Sequence, residues 1–318
     1  MGDFMIYTKF KSTYKSSDKI HNIAYYVYFP AGEVKGVVQI SHGMCEYFQR
    51  YDHFAEFLAK HGYIVCGNDH LGHGNSVNDS GELGYFAEEN GWQCVVSDLY
   101  ALTRIMKKYY GDLPYFMLGH SMGSFMARAY CIKYGWNLDG VIFCGTSGGI
   151  RGIPMLLTVI DGLKKAYGSK YRSQIVNKLA FGAYNKKISD NSSKFAWISR
   201  DKDVVSKYSQ DEKCKFVFTL NGFENLMKIL WYVSQDEWFK NYDKSLPTLL
   251  IAGSGDPVGQ YSEGVKTVFK KLSEYSCDVR CKIYPEARHE LINEINKQDV
   301  YDDVLGFIQE YSDRPDIL

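Results

Sequence analysis

Short apolar runs separated by stretches of helical spacing recur along this chain of 318 residues. That alternation restricts its fold more than any other feature. Strands that alternate with helices form an α/β architecture, a mainly parallel central sheet flanked by helices on both faces. Residues 37–40, 63–66, 115–118, 141–144, 249–252 and 279–284 read as strands of that sheet. Residues 5–10 and 23–29 have no helix between them and predict a leading antiparallel pair. Phe54, Phe57 and Leu58 fall at helical spacing, and Gly62 stands where a glycine would close that helix. Trp92, Val95, Leu99, Leu102 and Met106 form one face of a second helix, and Val304, Leu305 and Ile308 the inward face of the last, near 300–311.

The alternation stops between about 150 and 233, where 156–163, 173–181 and 225–233 look helical and no strand is evident. The expected organisation is one core built from 1–149 and 234–318, with 150–233 inserted as a helical cap. The length is ample for such a core.

Charge narrows the partners. Lysine plus arginine number 37 against 37 for aspartate plus glutamate, so no net field draws nucleic acid, and the expected ligand is a small molecule. Eight scattered cysteines lack metal-ligand or disulfide spacing and read as reduced thiols in a cytoplasm. No secretion signal and no spanning apolar stretch is evident, so an intracellular protein is expected.

The chemistry concentrates at three places. Gly119-His120-Ser121-Met122-Gly123 lies between the strand at 115–118 and a helix predicted from Met122 to Tyr134. A serine on such a sharp turn has its hydroxyl exposed, and small residues two before and two after let strand and helix pass closely. The helix start also aims the Met122 N–H at a developing oxyanion. Gly145-Thr146-Ser147-Gly148-Gly149 matches the same pattern, but its glycines and Pro154 rule out an immediate helix, which favours Ser121 as nucleophile.

A serine hydroxyl needs a base, and the base needs a carboxylate to orient it. Asp256 follows the strand at 249–252, and His289 follows the strand at 279–284. Of eight histidines only His289 lies beyond Asp256. Both fall past the carboxyl ends of their strands, where open α/β sheets place their sites. Asp236 and Asp278 are weaker acid candidates. Ser41-His42-Gly43-Met44 follows the first parallel strand and offers a second oxyanion donor, the Met44 N–H, with Gly43 allowing close approach of substrate. The loop from Asp69 to Ser76 holds two histidines but reads as a structured turn beside the site, and no metal is expected.

With those residues placed, the chain resembles the monoacylglycerol lipase and lysophospholipase group of α/β-hydrolases, in particular its bacterial, serine aminopeptidase S33-like members. The likeness runs through His42-Gly43, Gly72-His73-Gly74-Asn75-Ser76, the Ser121 turn, Asp256-Pro257-Val258-Gly259 and the segment from Tyr284 to Glu294. It continues in the insertion, at Lys178-Leu179-Ala180-Phe181-Gly182, Trp197-Ile198-Ser199-Arg200-Asp201 and Cys214 to Thr219.

The resemblance implies hydrolysis of a fatty acyl ester without a cofactor. It implies a cap that forms an apolar tunnel over Ser121, with brief contact with a membrane or micelle through that cap. Gly43, His120, Phe181, Trp197 and Phe218 are the expected substrate contacts. Met44-Cys45 stands where many relatives have smaller residues, which would narrow the acyl entrance. Three alternatives stay open: a short-chain or aryl esterase, a prolyl-aminopeptidase-like peptidase using Glu212, Glu224 or Asp236 to hold an amine, and a binding protein that has kept the fold.

Overall fold

The computed structural model describes residues 7–190 and 193–312. Eight strands form one sheet: β1 (Tyr7–Lys15), β2 (Asn22–Pro30), β3 (Gly36–Ser41), β4 (Tyr63–Asn68), β5 (Tyr115–His120), β6 (Gly140–Cys144), β7 (Thr248–Gly253) and β8 (Val279–Tyr284). Their spatial order is β1-β2-β4-β3-β5-β6-β7-β8. From β4 to β8 all neighbours are parallel, whereas β2 runs antiparallel to both β1 and β4. The leading pair therefore exists, but β1 continues past Phe10 to Lys15, in register with Asn22. Met5 lies outside the described residues.

Successive side chains of a strand face opposite ways, and here each face has its own helices. Val38, Ile40, Phe116, Leu118 and Ile142 pack with α1 (Asp52–Lys60), through Phe54 and Leu58. On the same face, Val304 and Ile308 of the final helix, Lys297–Ser312, complete that layer. Val37, Met117, Val141 and Phe143 point to the other face, against α2 (Gly91–Tyr110) and α3 (Met122–Tyr134).

No strand interrupts the chain between β6 and β7 among the described residues. That stretch carries α4 (Ile153–Tyr167), α5 (Gln174–Phe181), α6 (Lys202–Gln210), α7 (Leu220–Ser234) and α8 (Asp236–Lys240). Helix α6 escapes a reading of periodicity because it buries only Val205 and Tyr208. Helix α9 (Glu263–Glu274) and α10, the final helix, close the chain's element order. Arg128, buried on α3, donates to the carbonyls of Ser147 (2.8 Å) and Val233, so one guanidinium ties both ends of the helical stretch to the core.

Candidate active site

Four loops meet at the carboxyl edge of the parallel strands, and each brings residues singled out by the sequence. Ser121 caps α3 with φ 52° and ψ −122°, a backbone shape that side chains rarely adopt. Close packing enforces it. A Cβ at Gly119 would lie 2.5 Å from the Gly123 carbonyl oxygen, and one at Gly123 would lie 2.0 Å from that of Ser41. By contrast, no helix follows Ser147 until Ile153, so only the Ser121 motif has the turn.

His289, on the loop after β8, donates from Nδ1 to Asp256 Oδ2 at 2.9 Å. That bond leaves Nε2 as the ring's basic nitrogen. Asp256 is fully buried, and its other oxygen accepts from the Val258 N–H at 2.8 Å. Ser121 and His289 line one cavity of about 380 Å³. Gly43, Met44, His120, Met122, Phe181 and Trp197 line it too. Among the described residues, no protein acceptor takes the N–H of Met44 or Met122. Cys45 lines the cavity as well, with its thiol donating to the Phe216 carbonyl at 3.4 Å.

Phe218 departs from its expected place. It is fully buried outside the cavity, edge-on to His73 and Phe86 with ring centroids 5.4 and 5.7 Å apart. Its neighbour Phe216 lines the cavity instead, because alternate residues of this extended stretch face opposite ways. The three carboxylates considered as amine holders are also outside the cavity: Glu212 pairs with Lys215, Glu224 with Lys164 and Lys228, and Asp236 with Lys271.

Two buried glutamates organise these loops, and neither drew attention in the sequence as a site residue. Glu46 Oε1 accepts from the Gly43 N–H, from Tyr51 (2.8 Å) and from His120 Nδ1 (2.9 Å). His120 in turn donates from Nε2 to the carbonyl of His289 at 3.3 Å, with the two rings 4.7 Å apart. Acceptors beside both nitrogens favour the protonated imidazole. Burial alone would lower its pKa, but the Glu46 carboxylate outweighs burial and raises it. Burial works against the Glu46 charge as well, and the His120 cation prevails, holding Glu46 below the usual carboxylate range. Arg50 bridges Glu46 to Glu290, the residue after His289.

The second organiser, Glu294, accepts from the N–H of Arg288 (2.8 Å), the N–H of Arg200 (3.0 Å) and Arg200 Nε (3.0 Å). It fastens the histidine loop to the stretch that carries Trp197, whose ring lies 5.1 Å from that of His289. The one sequence signal was proximity: Glu46 lies three residues past Gly43, and Glu294 five past His289.

His42, His70 and His73 are consumed by loop structure. His42 donates from Nδ1 to the Gly43 carbonyl and accepts the His70 N–H at Nε2, both at 2.8 Å. That tautomer is neutral, in keeping with the lowered pKa that burial gives all three rings.

A serine on a strained strand-to-helix turn, beside a histidine oriented by a buried aspartate at the carboxyl edge of such a sheet, defines an α/β-hydrolase. Residues 32–296 match the family model described as serine aminopeptidase, S33, and the chain belongs to that family of hydrolases. It is 27% identical to a monoacylglycerol lipase of Mycolicibacterium smegmatis, over 90% of this chain and 92% of that protein. A thermostable carboxyl esterase from Bacillus coagulans, solved with glycerol, superimposes with a TM-score of 0.90 at 31% identity, covering 96% and 99% of the two chains. A lipase in an open form gives 0.89 at 28% identity, with 96% and 100% covered. Among the described residues no helix is long and apolar enough to cross a membrane.

Proposed function

We propose that this enzyme cleaves fatty acyl esters of small alcohols, monoacylglycerols and lysophospholipids foremost, through a Ser121–His289–Asp256 triad. The observation that carries this reading is the cavity. Beside Ser121 it is walled by Phe181, Phe195, Trp197, Phe216, Leu226 and Leu230, all from the stretch between β6 and β7. An apolar wall of that kind suits an acyl chain. On this reading residues 150–233 act as the cap.

Ser121 Oγ attacks the ester carbonyl while His289 Nε2 takes its proton, and the N–H groups of Met44 and Met122 hold the oxyanion. His289 returns the proton to the departing alcohol. Water, activated by the same nitrogen, then releases the acid and restores Ser121. No step draws on a cofactor.

Despite the family's peptidase description, an amine-binding role lacks support in the cavity. Its two carboxylates, Glu46 and Glu290, are buried and paired with His120 and Arg50. The cap also supports brief contact with a membrane or micelle that presents the substrate, and eight free cysteines suit a reducing cytoplasm.

Acid release from short, medium and long monoacylglycerols, a lysophospholipid and an aminoacyl-arylamide tests the reading with wild type and Ser121→Ala. Preference for a medium or long acyl ester is expected, with a loss on the order of 10⁴-fold or more in the variant. Retained turnover in Ser121→Ala overturns the nucleophile, and preference for the arylamide overturns the substrate class.

A further inference from the structure

The geometry points to Tyr184 as the residue that selects the alcohol half of the ester, its phenol hydrogen-bonding a free hydroxyl of a polyol such as the glycerol of a monoacylglycerol. The inference deepens the function proposed above and rests on that reading.

Buried phenols in this protein ordinarily spend their hydroxyls within it. Tyr51 donates to Glu46 at 2.8 Å, Tyr115 to Gln39 at 2.6 Å, Tyr130 to Thr103 at 2.9 Å and Tyr301 to the Ile292 carbonyl at 3.0 Å. Two tyrosines that line the cavity of Ser121, Tyr184 and Tyr208, depart from that habit. Among the described residues neither hydroxyl has a hydrogen-bond partner. A hydroxyl left without a partner away from water is costly, so phenols of this kind in one cavity suit a partner that arrives with the ligand. An acyl chain offers them no donor or acceptor, and the carbonyl oxygen that gains charge is met by the N–H groups of Met44 and Met122. The alcohol is the part left to pair with a phenol.

Position then separates the two. Arg50 and the Phe195 ring lie 4.8 and 4.9 Å from the Tyr208 ring centre. Tyr184 instead stands edge-on to Trp197, with ring centroids 5.0 Å apart, and Trp197 lies 5.1 Å from the His289 ring. Asn185 fixes that intervening tryptophan by accepting its N–H at 3.0 Å and donating to the Ser193 carbonyl at 3.0 Å. The alcohol takes its proton from His289, so a phenol one ring removed from that imidazole stands on the alcohol's side. Burial raises the pKa of Tyr184 and the Asp256 charge adds to the rise, which keeps the phenol protonated and places it within the field of the triad. Tyrosine also brings apolar area to a cavity wall, and the test therefore separates hydroxyl from ring.

The measurement is kcat/KM of wild type, Tyr184→Phe and Tyr208→Phe on the glyceryl and ethyl monoesters of one medium-chain acid, each below the concentration at which it aggregates. The ethyl ester has the same acyl chain and no free hydroxyl. One neutral hydrogen bond is worth roughly three- to tenfold, so Tyr184→Phe should lower the glyceryl-to-ethyl ratio of kcat/KM by about that factor, while Tyr208→Phe holds it. A ratio that stays the same in Tyr184→Phe, whether because neither rate falls or because both fall equally, overturns the inference. So does a ratio that falls in Tyr208→Phe instead. Absence of Ser121-dependent turnover of either ester in wild type would overturn the function proposed above and this inference with it; turnover of both, with the ratio unmoved by Tyr184→Phe, overturns this inference alone.

Discussion

Gly123 and Gly162 are both helical glycines, yet they occupy opposite settings. A Cβ on Gly123 would lie 2.0 and 2.4 Å from the backbone oxygens of Ser41 and His42, whereas one on Gly162 in α4 meets nothing within 4 Å. The same contrast separates the two regions they belong to. The loops at the sheet edge are held by backbone-to-backbone contact and by buried charges with several partners each. In the stretch between β6 and β7, α4 and α5 are held mainly through one side, and their outer sides are open. Chemistry needs fixed distances, and an entrance for substrate needs a surface that tolerates change; on the proposed function the two demands are met in separate places.

The sharpest way to break that comparison is Gly123→Ala. The added methyl would push the Ser121 turn away from the loop that carries the Met44 N–H. Overpacking of this kind costs about 1–3 kcal/mol or more, and a displacement near 1 Å in such a site costs roughly 100-fold in rate. A fall of that order in kcat/KM, together with a lower melting temperature, is expected. Near-normal turnover would show that the sheet-edge loops are not held by this contact.

Glu46→Gln probes the charged part of the same region. Removing one partner of a buried ion pair costs about 3–5 kcal/mol. The pH dependence follows from the two shifts. His120 has its pKa raised above 6.5, so its contribution is whole below that value and is lost as pH rises through the raised one. Glu46 has its pKa lowered from 4.5, so its contribution is whole above that value and is lost as pH falls through the lowered one. Denaturation of wild type and variant across pH should therefore show the widest gap between about 4.5 and 6.5, narrowing on both sides. A gap independent of pH would mean that Glu46 acts by shape alone.

Legibility divides along the same line. The strands, the Ser121 turn and the positions of Asp256 and His289 were readable because each rests on local pattern: apolar runs, glycine spacing and order along the chain. Glu46 and Glu294 were not readable as organisers, since each joins segments far apart in sequence, as with the bond from Arg200 to Glu294. Phe218 was misplaced for a related reason. Aromatic composition marks an apolar stretch, but which of Phe216 and Phe218 faces the cavity depends on a rotation that only tertiary packing sets. Likewise β1 outran its expected end because pairing with β2 lengthens a strand whose own sequence, with Lys9, Lys11 and Lys15, is largely polar.

The smallest effect is expected at Gly162, and it sharpens the comparison most economically. Within an exposed helix interior, glycine to alanine reduces the freedom of the unfolded chain and improves helix propensity, a gain of about 0.5–1 kcal/mol where the new methyl has room. Gly162 has that room, its backbone is helical and it lies outside the cavity. Gly162→Ala should therefore raise the melting temperature slightly and leave turnover of a soluble short ester unchanged. If the same substitution slows turnover of a long-chain ester presented in vesicles, α4 must flex while substrate enters, and its openness serves that motion. If both rates hold, stiffness in α4 is harmless, and the division between a fixed site and a tolerant outer surface extends to the middle of this helix.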